Sequence, residues 1–61
     1  MNFCIVVKNF YGEELYTVSG PYSTYKEASK IYDLQHYLLS DTLNRGEYLS
    51  IVVKRRTTIF I

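Results

Sequence analysis

A small α+β domain, with strand, strand, helix and strand in that order, is the fold class this 61-residue chain predicts. Three observations carry the expectation. Two runs rich in β-branched and aromatic residues flank the turn-forming "YGEE" near the start. A stretch with helical periodicity opens in the middle on a capping box, and the chain closes on another strand-like run, "YLSIVVKRRTTIFI". Strands favour Val, Ile, Thr and aromatic residues, and turns favour glycine flanked by polar groups.

The first strand is expected over "FCIVVKNF", Phe3 to Phe10, with Gly12 free to take a positive φ in the turn. "LYTVSG", Leu15 to Gly20, is the return strand, and Gly20-Pro21 ends it because proline cannot donate to a ladder. The helix is expected from about Thr24 to Leu39 or Leu43. Thr24 caps the first turn and Glu27, three residues on, is placed to reach back. At about 100° per residue, Thr24, Ala28, Ile31, Gln35 and Leu38 share one face, flanked by Leu34 and Leu39. Tyr25, Tyr32 and Leu43 follow one flank, where they widen the core contact or, if exposed, form a binding stripe. "NRGE" stops the helix, with Asn44 or Gly46 in a left-handed position, and the third strand follows.

The topology follows from handedness. A helix returning across the hairpin brings the third strand antiparallel beside the first, so the sheet reads 2-1-3 with the most apolar strand in the centre. One helix then covers one face of a three-stranded antiparallel sheet. Alternation along the strands assigns Phe3, Ile5, Val7, Leu49, Ile51 and Val53 to the helix side, joined by Tyr16 and Val18. The other face carries Cys4, Val6, Lys8, Leu15, Thr17, Tyr48, Ser50, Val52, Lys54 and Arg56, and nothing in the sequence is left to cover it. An open apolar face on so small a domain points to a partner.

Length allows one domain, residues 1 to 61, with a core that is marginal without help from self-association. Cys4 is the single cysteine, which excludes an intrachain disulfide, and the short apolar run before Lys8 fits neither an export signal nor a membrane span. These features favour a cytoplasmic protein with no membrane association. The net charge of +1 gives no global pull on nucleic acid or lipid, so any basic function rests on local clustering at Lys54, Arg55 and Arg56.

Catalytic chemistry needs convergent groups, and the inventory is thin. His36 is the sole histidine and sits on the helix, while Cys4 lies in an apolar strand with no basic neighbour. One histidine and one cysteine cannot close a metal site, and no phosphate-cradling or metalloprotease motif is present. The expectation is a protein without enzymatic activity, metal or cofactor. Two binding readings remain. In the first, another protein is bound through Val6, Leu15 and Val52 on the open face and through Ile59, Phe60 and Ile61 in the terminal strand, which also favours a homodimer. In the second, Lys8, Tyr48, Lys54, Arg55 and Arg56 bind RNA or another single-stranded nucleic acid by stacking and phosphate contacts.

The order of hairpin, "GPYSTYKEA" opening a helix, and final strand resembles small proteins encoded by bacterial viruses. That resemblance implies a host-takeover factor that modulates a host protein or nucleic acid inside the host cytoplasm. It assigns no individual residue a role.

Overall fold

The computed structural model describes residues 2–54. Strand β1 (Asn2–Lys8), strand β2 (Glu14–Tyr22), helix α1 (Tyr25–Leu39) and strand β3 (Tyr48–Lys54) follow in chain order. The sheet has the order β2-β1-β3, both pairings are antiparallel, and α1 packs against it. The expected ββαβ architecture is therefore the one this chain adopts. Ile5, Val6 and Val7 are fully buried in the central strand, as its unbroken apolar run requires.

The helix-side assignment holds at the centre. Ile5, Val7 and Leu49 form the core, with Val18, Tyr22, Ile31, Tyr32, Leu43 and Ile51 packed against them. Tyr16 and Val53, placed on that side by alternation, lie at its margins and stay exposed.

The two ladders differ. The pairing of β1 with β3 runs unbroken from Asn2 opposite Lys54 to Lys8 opposite Tyr48. The pairing of β1 with β2 shifts register three times, between Phe3 and Ile5, between Ile5 and Val6, and between Val7 and Lys8. Such irregularities leave residues unpaired and sharpen the local twist. One of them lets β2 continue through Pro21 to Tyr22, opposite Phe3, where the sequence had suggested an end at Gly20-Pro21. β2 is an edge strand, so a residue lacking an N–H is tolerated there. Gly20, at φ 115°, presses against β1: a Cβ on it would lie 3.0 Å from the Phe3 carbonyl oxygen and 3.1 Å from Cys4 Cα.

Thr24 caps α1 by accepting a hydrogen bond from the Glu27 backbone N–H at 3.2 Å. The packed face is rotated relative to the sequence expectation. Ala28 is buried and Ile31, Tyr32, Gln35 and Leu39 are half-buried, but Leu34 and Leu38 are exposed. Two tertiary hydrogen bonds account for the rotation. The Tyr32 hydroxyl donates to the Leu49 carbonyl at 3.2 Å, and the Ser19 hydroxyl donates to Gln35 Oε1 at 2.8 Å. Both draw the Tyr32–Gln35 side of the helix onto the sheet, with the small Ala28 side chain between. Of the three flank residues, Tyr32 and Leu43 do widen the core contact, and Tyr25 stays exposed.

The helix ends at a right-handed Ser40 cap, before "NRGE". That motif instead shapes the loop into β3: Gly46 takes φ 86°, and the Glu47 carboxylate accepts from the Asn44 N–H at 2.9 Å.

Candidate functional site

The surface expected to be open is covered at its centre. Val6 is 0% exposed, Cys4 is buried and Val52 is half-buried, while Leu15 stays exposed. The expectation that Val6 presents an accessible apolar patch is therefore corrected. Among the described residues, one side chain that crosses the sheet adds cover to this face. Lys54 Nζ donates to the Glu14 carboxylate at 2.6 Å and to the Thr17 hydroxyl at 3.3 Å. Lys54 is on β3 and its partners are on β2, with β1 between them, so the lysine stem must pass over β1. Lys54 starts opposite Asn2 and Thr17 lies opposite Val6, so the stem runs obliquely over β1 between those two positions. An aliphatic stem lying on apolar surface with its charge at a polar rim is the usual behaviour of lysine. The pair is more than a third exposed at both ends and contributes at most about 1 kcal/mol.

The same contact bears on the basic cluster. Lys54, one of its members, is engaged by Glu14 and Thr17, and Lys8 is half-buried beside the exposed Tyr48 with which it pairs across the strands. Arg55, Arg56, Ile59, Phe60 and Ile61 lie outside the described residues. The structure thus gathers Val6, Val52, Lys8 and Lys54 on one face without making them an open apolar or basic patch.

Exposed apolar surface is concentrated elsewhere, at the end where β1 turns into β2. The Phe10 side chain is 80% exposed and that of Tyr11 is 82% exposed. Both leave the ladder because β1 stops at Lys8, two residues earlier than Phe10. Asn9 directs them outward. Its side-chain oxygen accepts from the Tyr11 N–H at 2.9 Å and from the Glu13 N–H at 3.0 Å. Its own backbone N–H donates to the Glu13 carbonyl at 3.0 Å, and its carbonyl accepts from Gly12, which sits at φ 81°. An asparagine that bonds the backbone two residues on closes a turn without help from a core. The two rings meet edge to face with centroids 5.6 Å apart and an interplanar angle of 83°, a favourable aromatic geometry.

Topology brings further aromatic surface to this end. β1 runs toward it, α1 runs back toward it, and β3 starts from it with Tyr48 opposite Lys8. A Cβ on Gly46 would touch Phe10 Cβ at 3.4 Å, and one on Gly12 would lie 4.0 Å from the Tyr48 hydroxyl. The hairpin turn and the loop before β3 are therefore neighbours. The last turns of α1 add Tyr37 and Leu38, both largely exposed. Sequence reasoning missed Phe10 and Tyr11, assigning one to a strand and the other to a turn. The available signal was "NFYGEE", two adjacent aromatic residues at a turn where polar ones suffice.

No group of three or more His, Cys, Asp or Glu side chains among the described residues is arranged to hold a metal ion. No described helix is long and apolar enough to cross a membrane. No protein-family model, curated protein or solved structure matches this chain.

Proposed function

We propose that this chain is a non-enzymatic binding module that engages another protein through its aromatic turn end, with Phe10 and Tyr11 as the anchors. The carrying observation is the pair of rings held about four-fifths exposed on a turn that Asn9 fixes from within. Large aromatic side chains on ordered backbone lose little entropy on binding and dominate interface energetics. Exposing two of them together has no folding benefit, because neither contributes to the core of this domain. Tyr48, Tyr37 and Leu38 extend the surface around them. The complementary partner is a protein with an apolar pocket deep enough for two rings. In the bacterial-virus setting that the architecture resembles, it is a host protein whose activity is modulated by the contact.

The single-stranded nucleic-acid reading draws less support, because Lys54, a member of its basic cluster, is committed to Glu14 and Thr17. The test is affinity capture from host lysate with nuclease present, comparing the wild type with Phe10→Ser/Tyr11→Ser. The expected result is a defined protein retained by the wild type and weakened by at least about 30-fold in the variant. Equal retention by both, or RNA captured in its place when nuclease is left out, overturns the reading.

A further inference from the structure

The outer edge of β3 is the second surface that the fold leaves without a partner among the described residues, and it differs in kind from the aromatic turn. An edge strand offers a row of backbone donors and acceptors, and proteins blunt such edges with bulges, prolines or charges. β2, the opposite edge, carries three register shifts and Pro21. β3 has none of these: its seven residues keep one register with β1 throughout. Its only charged residue, Lys54, reaches across the sheet to Glu14 instead of guarding the edge.

Tyr32 shows which backbone groups face outward. Its hydroxyl, from the helix, reaches the Leu49 carbonyl at 3.2 Å, on the side away from β1. Backbone groups alternate sides along an antiparallel strand, so those of Ile51 and Val53 point the same way as those of Leu49. Beside this edge lies an open groove of about 440 Å³, lined by Tyr25, Ser29, Tyr32 and Asp33 of α1 and by Leu49, Ser50 and Ile51 of β3. Val53, 54% exposed, stands next to it.

We propose that β3 pairs antiparallel with the β3 of a second copy of this chain, across a twofold axis at Ile51, to give a continuous sheet with both helices on one face. The sequence of the strand supports this occupant. Centred on Ile51, "YLSIVVK" sets Ile51 against its own copy, Val53 against Leu49, Val52 against Ser50 and Lys54 against Tyr48. No like charges meet across the axis. The exposed Val53 of each copy enters the mouth of the other's groove beside Leu49. A twofold interface must be self-complementary in this sense, and added strands gain affinity through the backbone and specificity through alternate side chains. The pairing does not involve Phe10 or Tyr11, which lie in the β1–β2 turn, although Tyr48 borders both surfaces.

Sedimentation equilibrium on the full chain tests it, together with amide hydrogen exchange across a concentration series. The expected mass rises from 7.2 kDa to twice that value, and the Ile51 and Val53 amides exchange more slowly as it does. Val53→Pro removes only an outward N–H, so it keeps the β1 ladder and holds the chain monomeric. Val53→Lys, a change at an exposed side chain, weakens association at least tenfold and serves should the proline variant unfold. Phe10→Ser/Tyr11→Ser leaves the mass unchanged. A wild type that stays monomeric at millimolar concentration overturns the proposal. So does a dimer that persists in Val53→Lys, or one in which the Ile51 and Val53 amides exchange rapidly.

Discussion

Aromatic residues at the two ends of this molecule have opposite fates. At the end where β2 hands over to α1, Tyr22 packs on the core and Phe3 meets Tyr25 edge to face at 6.0 Å. At the end where β1 turns into β2, Phe10 and Tyr11 meet each other edge to face beside the loop before β3 and stay about four-fifths exposed. The sheet explains the first case: Phe3 and Tyr22 lie directly opposite one another and share the helix-covered face. It cannot explain the second, because the rings at the turn lie beyond the last paired residue. The difference teaches that aromatic content at the first end serves the fold, whereas at the second it is available for binding.

Four variants test that contrast. Gly20→Ala is expected to have the largest effect, because φ 115° and a Cβ 3.0 Å from the Phe3 carbonyl both oppose it. The cost is about 3 kcal/mol, read as a fall in melting temperature of more than about 10 °C. Tyr22→Ala removes a half-buried ring from the core side at the same end and costs about 2 kcal/mol in a denaturant titration. Asn9→Ala removes the side-chain acceptor for two backbone N–H groups and costs about 1 kcal/mol, with a several-fold loss of partner affinity as the turn loosens. Phe10→Ser/Tyr11→Ser is expected to move stability by less than about 0.5 kcal/mol. A larger loss there would mean that these rings serve the fold after all.

Legibility in the sequence followed the range of the interactions. The order of elements, the 2-1-3 sheet and the helix start at Thr24 rest on local composition, a capping pair and the handedness of crossovers, so they could be read directly. The rotation of α1 could not, because it depends on Tyr32 reaching Leu49 and Ser19 reaching Gln35, contacts that join different elements. The Lys54–Glu14 contact across the outer face was hidden for the same reason, since the two residues lie 40 positions apart. Alternation correctly put Val6 on the face away from the helix, yet that face is crossed by a side chain that no periodicity reveals. The candidate anchors were missed through a boundary. Whether Phe10 ends a strand or opens a turn depends on the Asn9 side chain capturing the N–H groups that follow it.

The most direct measurement of the central claim couples stability and binding in one variant. Phe10→Ser/Tyr11→Ser and the wild type would be compared by thermal unfolding and by capture of the same host protein. Superimposable unfolding curves and at least a 30-fold loss of affinity (about 2 kcal/mol) are expected. Unchanged capture, or a variant that no longer folds, would contradict the claim.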